Sequence, residues 1–267
     1  MYNANGFDDD SSFKNDDVIH ISVTKDMKRK YKVNDGFLHG TAESFRECYL
    51  TFALIALNVI IYYIQTTQQY REGYFLVDRL SEHGACSWPD VIGHGQVWRL
   101  ITCMFLHGSW GHLIGNMIVL LLCGSILERV LYRNCYLILY FVGGLCASLV
   151  SMVYHHFIPT VRTIYYFFYS EKIEIYDVRS LGASGAIAAL FAGLVIYLLF
   201  FGGFGNSDIS RSGWMWLIIG YLVISTLSSI FSYEEGVDMA GHMGGLACGC
   251  VIFFIYACIA YRDQRTY

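Results

Sequence analysis

The chain has 267 residues, of which 55% are hydrophobic, 15% charged and 16% aromatic, with a net charge of −4 and a mean hydropathy of +0.42. Soluble domains average about 25% charged residues, so this composition cannot clothe a surface that faces water on all sides. Two prolines and 18 Lys/Arg exclude a collagen-like chain, a disordered chain and a nucleic-acid binder resting on phosphate neutralisation. What remains is a membrane protein.

Residues 1–47 form a polar tail that passes from an acidic stretch (Asp8, Asp9, Asp10, Asp16, Asp17) to a basic one (Lys25, Lys28, Arg29, Lys30, Lys32). It is too short and polar to bury a core. No apolar run opens it, so no cleavable signal peptide is expected. The basic patch serves to set topology, with contact to anionic headgroups as the other reading. Six apolar spans follow, at about 48–64, 106–127, 136–157, 182–201, 213–231 and 240–260. Each is long enough to cross a bilayer, and at that length only helices satisfy the backbone in lipid. The expected fold is all-α: a six-helix membrane domain over 48–261, then a short tail at 262–267.

The first connection (65–105) is long and the third is about two dozen residues, whereas the others are short. Twelve of the 18 Lys/Arg fall in the N-terminal tail, the second and fourth connections and the C-terminus. That excess predicts both termini in the cytoplasm. Tyr165, Tyr166, Phe167, Phe168 and Tyr169 suit an interfacial aromatic belt. No internal repeat is visible, which argues against an inverted-repeat transporter. Six of the nine cysteines sit in apolar runs as small hydrophobes, while Cys86 stands in a polar loop. Neither a structural disulfide nor a CxxC metal site is expected.

Polar groups at membrane depth are costly and therefore candidate functional residues. Span two opens with His107, His112 and Asn116, span four with Gly182-Ala183-Ser184-Gly185, and span six with Ala240-Gly241-His242. All three spans run outside to inside in this topology, so the clusters share one depth near the external face. Gly241, Gly245 and Gly249 make a small-residue face on span six, and Gly185, Ala189 and Gly193 make another on span four. Such faces are by default packing surfaces. If they meet, Ser184 and His242 border the seam within reach of each other, as a nucleophile and its base require. Asp238, four residues before His242, reads as a loop or capping residue, which leaves a dyad.

These residues resemble the rhomboid intramembrane serine proteases over nearly all of 48–261. The resemblance rests on Trp98-Arg99, His107, His112, Asn116, Glu128-Arg129, Gly182-x-Ser184-Gly185 and His242-x-x-Gly245-x-x-x-Gly249. The six-span form is similar to the simple bacterial type. The resemblance implies a serine endopeptidase of the cell membrane, opening to the external face, that cleaves transmembrane segments of other membrane proteins. By position, Ser184 would be the nucleophile and His242 its base; His112, Asn116 and the Ser184 N–H would hold the oxyanion. His107 would support them, Trp98 and Arg99 would brace the first connection, and Glu128 would tie span two down near the cytoplasmic face. One departure is Ala188, where many members carry an aromatic residue that stacks on the base.

Three other readings are weaker. A metalloprotease could draw on His107, His112 and His242, but lacks HExxH and an acidic base. A catalytically inactive relative that binds transmembrane helices would lack the dyad. A channel or transporter would place its polar groups near the bilayer centre. The expected partners are transmembrane protein substrates and the lipid bilayer, with no nucleic acid, no metal and no cofactor.

Overall fold

The computed structural model describes residues 48–72, 75–165, 170–200, 220 and 238–264. The chain is a helical, multi-pass membrane protein. Among the described residues, four helices are long and apolar enough to cross a membrane: α1 (Tyr49–Thr67), α4 (Trp110–Val130), α5 (Arg133–Phe157) and α7 (Met239–Gln264, through its apolar stretch Met239–Tyr256). The shorter apolar helix α6 (Ser184–Phe200) carries span four. Span five, the polar tail and Tyr166–Tyr169 lie outside the described residues.

The long connections hold structure of their own. The first contains a hairpin of β1 (Gln69–Glu72) and β2 (Phe75–Asp78), a short helix α2 (Arg79–Gly84), a π-helical turn at Pro89–Gly93 and a one-turn helix α3 (Arg99–Thr102). The third is a hairpin of β3 (Thr160–Tyr165) and β4 (Ser170–Ile175), with Thr160 opposite Ile175.

Helix α1 is inverted relative to a soluble helix. Thr51, Asn58 and Gln65 recur every seven residues on its buried face, while Ile60 and Tyr63 on the other side are 56% and 64% exposed. A polar stripe inside and an apolar stripe outside is stable only when the outer solvent is lipid. The stripe is hydrogen-bonded: Thr51 Oγ1 lies 2.9 Å from the Tyr136 hydroxyl, Asn58 Nδ2 donates to the Leu54 carbonyl at 2.7 Å, and Gln65 reaches across to His107.

Helices α5, α6 and α7 pack by a different rule, through the absence of side chains. A Cβ on Gly245 would collide with the Gly185 carbonyl, and one on Gly249 with the Ala189 carbonyl. On the far side of α6, Gly185 faces Ala147 and Gly143 faces Ala189, both too close to admit another carbon. The two small faces expected on spans four and six are thus pressed together, and α5 closes the third side. Lipid gives no hydrophobic push between helices, so close backbone approach supplies the packing.

Candidate active site

Ser184 is the first residue of α6, and the segment before it is fixed from several sides. The Gly182 N–H donates to the Cys103 carbonyl at 2.9 Å, and Ile187 N–H donates to the Ala183 carbonyl at 3.0 Å to begin the helix. Gly182 has φ +133°, a backbone setting that L-residues rarely adopt. It also has no room for a side chain. A Cβ there would lie 2.9 Å from His112 Cε1, 3.0 Å from His112 Nε2 and 3.6 Å from Ser184 Oγ. The His112 ring and the Ser184 hydroxyl therefore both lie within 4 Å of a single point.

His242 sits in the first turn of α7. Its N–H donates to the Asp238 carbonyl at 3.1 Å, and the Asp238 carboxylate accepts from Gly241 N–H at 2.9 Å. Asp238 is the helix cap, and a carboxylate there also suits the helix dipole. His155 of α5 approaches Asp238 with Nε2 at 3.4 Å. Burial alone would raise the Asp238 carboxyl, but His155 and the Gly241 N–H hold it below the usual carboxylate range. Ser184, His242, Gly182, Asp238 and Cys103 line one small cavity of about 20 Å³, room for a single water.

Helix α4 brings the third group. Its cap is Ser109, whose Oγ accepts from His112 N–H at 3.1 Å. His112 and Asn116 are one turn apart on the same face. Asn116 Nδ2 is buried and has no hydrogen-bond partner among the described residues, a costly condition for an amide unless something else uses it. His107 precedes α4 and packs edge-on to His112, ring centres 5.2 Å apart, with Tyr62 on another side at 6.3 Å. Burial, with the neighbouring His112 assisting, pushes the His107 imidazole down to about 4, so it is neutral near pH 7.

The remaining sequence candidates divide. Glu128 lies at the other end of α4, where its carboxylate accepts from Leu50 N–H, Thr51 N–H and Thr51 Oγ1 at 2.8, 2.8 and 2.7 Å. It caps α1, whose own N-cap residue offers no side-chain bond. Arg99 is buried and donates to the carbonyls of Glu82 and Ala85, both at 2.9 Å, which braces the first connection. Trp98 does not share that work through its indole, which is 54% exposed. Ala188 is buried and faces Gly245, its Cβ 3.3 Å from where a Gly245 Cβ would stand.

Sequence reasoning passed over two groups and misplaced a third. Gln65 donates to the His107 carbonyl and accepts from the His107 N–H, at 3.2 and 3.0 Å, so one amide holds both backbone groups of that residue. Asp90 gathers Ser87 Oγ at 2.7 Å, Arg179 Nε at 3.1 Å and Arg99 at 3.7 Å, and so joins the first connection to the segment that leads into Ser184. Burial alone would raise Asp90, yet the Ser87 hydroxyl and the Arg179 and Arg99 guanidiniums keep its carboxyl below the usual range. Cys86, expected in a polar loop, is instead fully buried and bridged to Ser180. Its apolar character was the available signal; its partners, many residues away in sequence, gave none.

The rhomboid-domain family model matches residues 94–258, more than half of the chain. The chain belongs to the rhomboid family. It is similar to YdcA of Bacillus subtilis strain 168, 26% identical over 193 residues that cover 70% of this chain and 83% of that one. It is also similar to the rhomboid protease AarA of Providencia stuartii, 25% identical over 219 residues, covering 80% and 74%. A plant relative, RHOMBOID-like protein 7 of Arabidopsis thaliana, is 27% identical over 177 residues, covering 66% of this chain and 48% of that one.

Proposed function

We propose that this protein is an intramembrane serine endopeptidase with a Ser184–His242 dyad. The observation that carries the reading is the convergence at Gly182. The hydroxyl of Ser184 and the ring of His112 flank one point, on a cavity that His242 also lines. Family membership and the named relatives supply independent support for a membrane protease.

In this reading His242 takes the proton of Ser184 Oγ as that oxygen attacks the scissile carbonyl. It then passes the proton to the departing amide nitrogen. His112, the Ser184 N–H and the otherwise unpartnered Asn116 Nδ2 donate to the oxygen as negative charge develops on it. A water, deprotonated by His242, releases the acyl group. The substrate is a membrane-spanning segment of another protein. Its backbone must be extended before a carbonyl reaches Ser184, so residues that weaken a helix, such as Gly or Pro, favour cleavage. The basic-residue count supports a reading in which both termini are in the cytoplasm of a cell-membrane protein and the site opens to the external face.

A fluorophosphonate probe applied to the protein in detergent tests the dyad. Labelling should map to Ser184, vanish in Ser184→Ala, fall sharply in His242→Ala and ignore chelators. Wild-type protein that is folded but unlabelled would favour a helix-binding relative without catalysis. Loss of cleavage with a chelator would point to a metal.

A further inference from the structure

The Asp238 carboxylate folds back over the first turn of α7. Its Oδ1 accepts from Gly241 N–H at 2.9 Å, while the Asp238 backbone carbonyl accepts from His242 N–H at 3.1 Å. Gly241 makes room for it, since a Cβ there would lie 2.7 Å from Oδ2 and 3.0 Å from Cγ. The carboxylate thus stands where the residue before His242 would otherwise carry a side chain. On its other side His155 of α5 brings Nε2 to 3.4 Å from Oδ1, and both side chains are largely buried. Thr160 Oγ1 is 3.4 Å from the second ring nitrogen, Nδ1. A hydroxyl proton donated there leaves the ring proton on Nε2, facing the carboxylate. In that tautomer His155 anchors Asp238 without cancelling its charge.

A neutral Asn or Ser caps a helix as well as Asp does; the charge is a separate property, and the cavity gives it a use. Ser184, His242 and Asp238 border one space with room for a single water, and Asp238 is the one carboxylate among its described lining residues. The other titratable groups around Asp238 and His242 are His155 from α5, His112 from α4, and Cys86 and Cys103 from the first connection. We propose that Asp238, oriented by His155, is a positioning residue for the reaction: it fixes the first turn of α7 and offsets the positive charge that His242 gains on taking the Ser184 proton. Asp238 itself takes no proton and stays ionised throughout. An opposite charge a few ångströms away favours the protonated imidazole, and a site nearly free of water screens that attraction weakly.

This role rests on the serine-protease reading, and the test separates the two. Fluorophosphonate labelling of the full chain in detergent is timed from about pH 5 to 9, beside the melting temperature. Asp238→Asn keeps the cap and removes the charge, so His242 should lose its proton at lower pH. Labelling should then rise about one pH unit earlier than in wild type and reach a plateau about 10-fold lower. His155→Ala should shift the rise the same way by less. His155→Gln, which keeps a donor near the place of Nε2, should restore it. In the Asp238→Asn background His155→Ala should add nothing, because it acts through Asp238. If Asp238→Asn labels more slowly or melts earlier with an unshifted rise, Asp238 is a cap and the role falls. Should Asp238→Asn fail to fold, the His155 variants decide: an Ala profile equal to wild type overturns the role. Folded wild-type protein that never labels overturns the dyad, and this role with it.

Discussion

At one end of α4 the Glu128 carboxylate accepts three hydrogen bonds and ties two helices together. Twelve residues earlier, about 18 Å along the axis, the Nδ2 of half-buried Asn116 is shut off from water and donates to nothing among the described residues. Both groups are costly at membrane depth. In the proposed reaction, the difference separates a polar group that builds the protein from one held ready for a charge that exists only while a bond is cleaved. The satisfied group should act on stability and the unsatisfied one on rate.

The sharpest way to break this contrast is Asn116→Ala. It should slow turnover by about 100- to 1000-fold with an unchanged melting temperature, since Nδ2 has no bond to lose. His112→Ala should slow turnover similarly. A mutant that instead melts early and is fully active per folded molecule would make Asn116 a structural residue. Glu128→Ala should do the reverse. Stranding three buried donors costs on the order of 3 kcal/mol or more, read as early unfolding in detergent, with kcat per folded molecule retained.

A smaller effect is expected in the glycine seam. Gly249→Ala must push a methyl into the Ala189 carbonyl and should cost about 1–3 kcal/mol, with some loss of rate because α7 carries His242. Retained stability would mean that the helices separate there without cost. The mildest prediction concerns acid. Asp90 and Asp238 have carboxyl pKa values below the ordinary range in the fold. Their stabilisation is therefore complete above the unfolded Asp value of about 3.9 and is lost as pH falls through the lower folded values. Melting temperature should hold from neutral pH to about 5 and drop below 4, and Asp90→Asn should flatten that drop. Asp238→Asn should keep the cap but lose the carboxylate's share of stability and, like Asp90→Asn, flatten the acid drop, whereas Asp238→Ala should lose the cap as well, at about 1 kcal/mol more.

Much of this organisation was legible because membrane helices advertise themselves. The observed α1, α4, α5, α6 and α7 overlap five of the six expected spans, and small residues at four-residue spacing marked the faces that meet. The start of α4 was misjudged by four residues, since His107–Ser109 are apolar enough by company yet Ser109 serves as the cap. The connections were the least legible. Two hairpins went unforeseen, while the Gln65–His107 clamp and the Arg179–Asp90 pair join residues 42 and 89 positions apart, and no local periodicity encodes such pairings. Asp238 was read as a loop or capping residue and does cap α7, but its approach to His155 depends on the packing of α5 against α7.

The level at which Gly185 meets Ala147 has a further meaning. Helix α5 continues ten residues beyond that contact, to Phe157, a rise of about 15 Å. The hydroxyl beside Gly185 is therefore sunk well below the end of α5. In the proposed reaction each bond hydrolysed consumes one molecule of water, so the pit would have to refill between turnovers against the surrounding oil. In such a protein the supply of a reactant that is everywhere abundant outside becomes a property of the fold.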